Sequence, residues 1–332
     1  MKKLIFIIFI FSGSVTSIAQ DIHWSQANEN SMYQNPANTG DMSGDYRLTM
    51  STKDQWRNVT KPYQTQAFTF DAINKYNRKL GYGGILLHDV TGDGIFRTIE
   101  LKISPAYTIF QDIQNKSKIR IGLELDFKYN QMNYSNYMFD NQFDGYIYSG
   151  LLPSNEKNTT QQKSSLSFGF GVVYTKALSD ICTLICGISA YNLNQPDQGF
   201  YGIKVARLRR YHNFIQLSYK LSRNVNLLPT VNFQNQGTYT ELIFGTRCEF
   251  YSSLIPSKNQ FISGLYFRNK DALFFQFGLK TNKLITSLNY DINTSKLAKA
   301  SNGRGGLEIN IQYIWSRKKE KNIMHKKCLD YL

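Results

Sequence analysis

The chain has 332 residues, with 39 Lys and Arg against 24 Asp and Glu and a formal net charge of +15. That length suffices for one large barrel or two soluble domains. A mean hydropathy of −0.38 excludes a bundle of membrane helices, and seven Pro beside 22 Tyr and 22 Phe leave little room for disorder.

The one continuous apolar run is at the start. Met1-Lys2-Lys3 is a basic opening, residues 4–11 are apolar, and Ser17-Ile18-Ala19 is a small-x-small cleavage site. Residues 1–19 therefore read as a signal peptide, too short to span a bilayer, with Gln20 as the mature N-terminus. No Cys follows the cleavage site, so a lipoprotein anchor is not expected. Loss of Lys2 and Lys3 lowers the charge from +15 to +13. An exported chain seldom meets nucleic acid, so the excess Lys and Arg are expected in loops and lumen, facing anionic lipid or acidic partners.

Residues 20–44 are polar and turn-rich, with Asn35-Pro36-Ala37 and Asp41-Met42-Ser43-Gly44. They carry no sustained period and suit a periplasmic segment or a plug at a barrel floor. From residue 45 a period of two begins and recurs, the mark of extended strands whose side chains alternate between faces. Strands are predicted at 45–54, 64–73, 80–89, 95–110 and 117–131. In the last of these Ile119, Ile121, Leu123, Leu125 and Phe127 alternate with Lys118, Arg120, Glu124, Asp126 and Lys128. Charges on one strict strand face imply water on that face, as in a polar lumen. Further strands are predicted at 163–176, 181–192, 208–221, 225–234, 239–250, 258–268, 271–280 and 283–293. The last, 305–315, sets Leu307, Ile309, Ile311, Tyr313 and Trp315 against Glu308, Asn310 and Gln312. Its length fits a tilted membrane strand, and its aromatic end fits the head-group boundary.

The expected fold is all-β, a transmembrane outer-membrane barrel of about 14 antiparallel strands over residues 45–315, apolar outside and wet inside. Connection lengths agree with it. With a periplasmic N-terminus, the connections after even-numbered strands are all short. The longest, 132–162 and 193–207, fall on the other side, the expected asymmetry. Residues 316–332 form a basic tail, either a solvated extension or a docking segment for a periplasmic partner.

Chemical motifs are few. Asp89, Thr91, Asp93, Gly94 and Glu100 have the spacing of a calcium loop. Their flanks read as strands, however, and Arg97 falls at a ligand position, so a hairpin turn is expected and no metal. His23, His88, His212 and His325 stand in no hydrolase or metalloprotease motif, and no catalytic residue or cofactor is assigned. Cys182 and Cys186, four apart on one strand, lie about 13 Å apart at the rise of a strand and cannot bridge. The segment from Asp54 through Trp56 and Arg57 to Tyr63 forms the first outer loop. It reads as a turn with an interfacial Trp or as a grip on a partner.

These stretches in order resemble the PorP/SprF family of type IX secretion membrane proteins. Residues 20–26, QDIHWSQ, are similar to its QDPxFSQ opening, with Ile22 for the usual Pro. Residues 33–40, YQNPANTG, resemble its YxNPAxxG, and Lys53-Asp54-Gln55-Trp56 its RDQW, with Lys for Arg. The turn from Asp89 to Phe96 and the late strands at 264–268, 288–291 and 306–309 follow the same pattern. The resemblance implies a non-enzymatic outer-membrane component of the type IX translocon. Such a protein supports secretion or surface attachment of cargo with a C-terminal signal domain and contacts the periplasmic ring. On that reading the tyrosine-rich outer loops, with Tyr134, Tyr137, Phe139, Tyr146 and Tyr148, are the expected cargo contacts. Tyr and Asn suit contact surfaces because they combine area with hydrogen bonding. The alternative is a FadL-like or porin-type uptake barrel, which shares the strands.

Overall fold

Alternation of side chains carries the architecture. The computed structural model describes residues 21–55, 62–92, 96–114, 116–133, 137–155, 160–200, 202–251, 259–295, 298–301 and 303–317. The strands are β1 (Tyr46–Gln55), β2 (Tyr63–Ile73), β3 (Leu80–Thr91), β4 (Phe96–Gln111), β5 (Ser117–Asn133), β6 (Thr160–Ser179) and β7 (Cys182–Tyr191). The chain continues with β8 (Arg210–Lys220), β9 (Val225–Gln236), β10 (Tyr239–Tyr251), β11 (Gln260–Arg268), β12 (Ala272–Lys280), β13 (Leu284–Asn293) and β14 (Arg304–Trp315). They pair in chain order into a closed barrel. β14 returns antiparallel to β1 in a register running from Tyr46↔Trp315 to Asp54↔Leu307. Closure leaves no open sheet edge, which hydrocarbon could not satisfy with hydrogen bonds. No helix among the described residues is long and apolar enough to cross a membrane. The strands make the crossing.

The outer surface is the apolar half of each alternation. Leu48 and Met50 on β1, Phe68 and Phe70 on β2, and Leu123, Leu125 and Phe127 on β5 are all exposed. So are Leu307, Ile309, Ile311 and Tyr313 on β14. In water this belt would be an aggregation surface, whereas in a bilayer it is the lipid contact. At the rim where the barrel starts and ends, the Trp315 ring stacks on Tyr46 at 5.3 Å, beside Phe70 and Tyr313. Just below, Asp45 accepts from the Arg78 guanidinium at 2.6 Å and from the Arg317 backbone N–H at 2.9 Å. These two donors hold the Asp45 carboxyl below its ordinary range. Sequence reasoning set this rim in the periplasm from the long connections at 132–162 and 193–207; between the strands of the structure these run 134–159 and 192–209 and lie at the opposite end.

The inner face corrects one expectation. The alternating charges do not face water. Glu100, Lys102, Glu124, Asp126 and Glu308 are each at most 4 % exposed, because the N-terminal segment fills the middle of the lumen. They are tolerated because they pair with one another and with that segment, which is what a buried charge requires.

Candidate functional site

The inner segment runs from Asp21 to Gly44 through a one-turn helix, α1 (Ser31–Gln34), and a 3-10 turn (Pro36–Asn38). It is held in three ways. Trp24, Met32 and Tyr33 pack on Ala67, Ile85 and Leu87 of β2 and β3, while Ala37 packs on Val173 and Phe214 of β6 and β8. These inward apolar residues are few, so the contact area is limited and polar bonds carry much of the docking.

The second hold is steric. Asn35-Pro36-Ala37 lies against the wall where the strands have glycine. A Cβ at Gly122 of β5 would stand 2.3 Å from the Ala37 nitrogen, and one at Gly171 of β6 would stand 2.2 Å from the Asn35 side-chain oxygen. Gly81 of β3 meets the Thr39 carbonyl in the same way. The wall is cut to the backbone of the segment, a close approach that only glycine permits. Asn35 completes the fit by donating its amide to the Ile188 carbonyl at 2.9 Å and the Val172 carbonyl at 3.2 Å, while its oxygen accepts from Ala37 N–H.

The third hold is ionic. Arg207, at the end of the β7–β8 connection, turns inward and joins three acids. It donates to Asp21 at 2.8 Å, Asp126 at 2.9 Å and Glu100 at 3.1 Å. Lys102 lies within 3.1 Å of Glu124 and 2.8 Å of Asp126. Lys128 stands 3.3 Å from Glu100 and 3.7 Å from Asp21. The Arg210 guanidinium is sandwiched between the Tyr33 and Tyr191 rings at 4.6 and 4.2 Å. Burial by itself would raise the Asp21 carboxyl, but the charges of Arg207, Lys128 and Arg210 hold it well below the usual range. Burial, helped by Lys53 and Arg268, holds His23 well below its usual value. Lower in the segment, Glu308 of β14 accepts from the Ser25 and Gln26 backbone N–H groups at 2.7 and 2.9 Å and pairs with Lys53 at 3.0 Å. Arg47 clamps Asp71 with two bonds of 2.8 and 2.7 Å, and Asp71 also receives Gly40 N–H. Arg120 reaches the Ala37 carbonyl at 3.0 Å.

This filling divides the lumen. Toward the long-loop end lies a cup of about 1140 Å³ whose floor includes Asp21, Ile22 and His23. A separate recess of about 630 Å³ opens at the other end between β8 and β12. The two share no lining residue, and gaps of about 20 and 10 Å³ between segment and wall have room for no more than a water or so.

The residues singled out in the sequence fall in different places. Asp54 is the penultimate residue of β1, at the outer rim, and accepts from the Gln64 amide at 3.4 Å. Trp56, Arg57 and Tyr134 lie outside the described residues. Tyr137, Phe139, Tyr146 and Tyr148 share one outer loop, 137–155, and it has its own fold. Phe143 and Tyr148 form a β-bridge with rings 5.0 Å apart. Asp144 accepts from the Tyr146 and Ile147 N–H groups, both at 2.8 Å, and the Gln142 amide reaches the Leu152 carbonyl. The loop leaves Tyr146 92 %, Leu151 98 % and Ile147 64 % exposed. The other expected contact loop behaves differently, since its Arg207 is pulled into the lumen and its Phe200 and Val205 line the cup.

The calcium-like spacing becomes a hairpin between β3 and β4, with Thr91 opposite Phe96. Asp89 there accepts from the Thr65 hydroxyl at 2.6 Å and the Thr91 hydroxyl at 3.1 Å. His212 is buried on the inner face, and His88 lies on the outer face of β3, so the two cannot share a site. The glycines of β3 at 81–84 read from the sequence as permitting a bend or a close contact, and Gly81 makes one; Gly122, Gly171 and the Arg207 hub were not singled out. For Gly122 and Gly171 the only signal was their place on the inner face of β5 and β6, which no period reveals.

A closed barrel of this size, with a lipid-facing apolar belt and an N-terminal insert, is an outer-membrane protein. The chain matches the family model described as type IX secretion system membrane protein PorP/SprF over residues 16–313, and it belongs to that family. A comparison with curated proteins finds no match. Among solved structures the barrel is similar to the Ralstonia pickettii toluene transporter TbuX, with a TM-score of 0.51 at 10 % identity, over 86 % of this chain and 93 % of that one. It is equally similar to the CymD monoaromatic hydrocarbon channel, at 0.51 and 9 % identity over 87 % and 93 % of the two chains. At such identities the likeness is one of fold. The protein is an outer-membrane component of the type IX secretion system.

Proposed function

We propose that this barrel is a non-enzymatic holder of type IX cargo, supporting secretion or surface attachment of proteins that carry a C-terminal signal domain. The observation that carries this reading is the contrast between a filled lumen and the self-folded loop 137–155, which presents Tyr137, Tyr146, Tyr148 and neighbouring apolar side chains to the outside. A cluster of exposed aromatic rings on a loop braced by its own hydrogen bonds suits protein recognition. Asp54, near the end of β1, Phe139 of the loop, and Trp56, Arg57 and Tyr134, which lie outside the described residues, are assigned to the same contact. The recess at the other rim, lined by Lys220, Arg223 and Lys280, and the basic tail, which from residue 318 lies outside the described residues, are assigned as handles for periplasmic ring proteins.

The test is replacement of residues 137–155 by a short Gly-Ser linker in cells, with cargo secretion, surface display and co-purification measured together. Loss of display and of cargo co-purification, with the barrel still in the outer membrane, is expected. Full secretion and display of every such cargo would remove the reading. An uptake barrel makes a different prediction: reconstituted alone, it conducts or takes up solute. With the lumen filled by residues 21–44, no steady conductance is expected.

A further inference from the structure

The outer cup holds a carboxylate that the ion network leaves aside. Asp89 is 7 % exposed, lines the cup, and has only the hydroxyls of Thr65 and Thr91 as hydrogen-bond donors. Among the described residues no ion pair includes it. The cations lining the cup are engaged elsewhere or stand at its edge. Lys128 is held by Glu100 and Asp21, Lys53 by Glu308, and Arg268 by Glu241 and Asp291. Lys270 stands exposed in the β11–β12 turn.

The strand register puts an aromatic collar over this carboxylate. Asp89 lies between Thr65 and Thr98. One rung outward, Thr91 faces Phe96, and Tyr63 begins the neighbouring strand. The Phe96 ring meets Phe200 edge-on at 6.3 Å. Met132 and Val205 line the same cup. A buried carboxylate without a cation is unfavourable, and aromatic faces attract cations. An apolar collar above a lone carboxylate is complementary to an ammonium or guanidinium on an alkyl stem.

We propose that the outer cup is a binding site for a basic side chain, lysine or arginine, flanked by apolar residues and presented by a polypeptide from the outer side. Asp89 takes the charge, and Phe96, Phe200 and Met132 take the stem. The site is independent of the cargo reading, since loop 137–155 contributes no lining residue; a loop replacement that left secretion intact would not touch it.

The experiment is calorimetric titration of the full-length protein in detergent with a capped leucine–lysine–leucine tripeptide and its glutamine counterpart. The wild type is expected to bind the lysine peptide at least tenfold more tightly. Asp89→Asn should erase that preference, Phe200→Ala should weaken binding of the lysine peptide severalfold, and Asp144→Asn on the outer loop should change neither. Heat-dependent gel mobility checks that each variant is a folded barrel. Equal affinity for the two peptides, no saturable binding by the wild type, or an unchanged preference in folded Asp89→Asn would each overturn the proposal. The peptide comparison on the wild type decides even if a variant fails to fold.

Discussion

The middle of the lumen and the cup above it share strands β4 and β5, yet they treat charge in opposite ways. In the middle, Asp21, Glu100, Glu124 and Asp126 meet Lys102, Lys128, Arg207 and Arg210 at bonding or near-bonding distance, and no acid of this set lacks a cation. In the cup, Asp89 is bound by hydroxyls alone. Charge pairing of this kind marks a region built to stay shut, because each buried carboxylate already has a cation beside it, even though Glu124 Oε2 and Asp126 Oδ1 accept no hydrogen bond among the described residues. Incomplete pairing beside open volume marks a region with binding capacity to spare. The difference separates the part of the lumen that holds the barrel from the part available for recognition.

The comparison breaks most readily at Arg207. Arg207→Ala leaves three carboxylates buried without their shared partner, and removal of one member of a buried ionic cluster costs about 3–5 kcal/mol. The segment from Asp21 should then loosen. The expected outcomes are a lower temperature for the heat-dependent gel shift and new protease cleavage within residues 21–44. Unchanged protection would show that the glycine cradle alone suffices.

Gly122→Val tests that cradle directly. Its Cβ has nowhere to go but the Pro36–Ala37 backbone, and overpacking of this kind costs about 1–3 kcal/mol; the upper end is expected here because the obstacle is main chain. The strand itself should tolerate valine well. The barrel is therefore expected to persist while the insert is displaced, giving intermittent conductance in planar bilayers where the wild type is silent. A silent variant with a protected N-terminal segment would mean that the wall moves instead.

Acid should open the same region in two stages. Asp21 and His23 both bind fewer protons in the folded protein than in the unfolded chain, so stability rises with pH wherever either titrates. For His23, whose folded value is lowered, the loss begins as pH falls below about 6.5. For Asp21 the contribution is complete above about 3.9 and disappears as pH falls through its lowered value. The gel-shift temperature should be flat above neutral pH, decline gently from about 6.5, and drop steeply only below about 4. His23→Gln should make the gentle portion shallower, with buried His212 keeping part of it, and leave the steep one.

The sequence disclosed the outer surface better than the inner one, for a physical reason. Lipid imposes a single demand on every outward position, so Leu123, Phe127 and Ile309 repeat with a period that one chain displays unaided. All fourteen strands were legible on that basis, as was the side carrying the long connections. The inward residues obey pairwise demands instead. Glu100 is tolerable because Arg207 lies more than a hundred residues further along the chain, and Gly122 is required because Pro36 arrives from the N-terminus. Such dependencies have no period. They made charges on β5 read as facing water when they face a filled lumen. Loop 137–155 was legible as tyrosine-rich, but its bracing by Asp144 and Gln142 was not, because those bonds depend on its own folded shape.

The smallest effect on stability should come from that loop. Tyr146 is 92 % exposed and its ring adds little to the packing; the turn beneath it is made by backbone N–H groups donating to Asp144, not by the phenol. Tyr146→Ala should therefore change stability by no more than about 0.5 kcal/mol. If the loop is a contact surface, the same change should weaken cargo co-purification, since exposed tyrosines often carry a disproportionate share of binding energy. Tyr148→Ala is the informative companion. It removes a ring that packs on Phe143 at 5.0 Å, so it should soften the loop as well as the contact. A Tyr146→Ala protein that retains cargo fully while Tyr148→Ala loses it would assign the loop's importance to its shape rather than to the exposed ring.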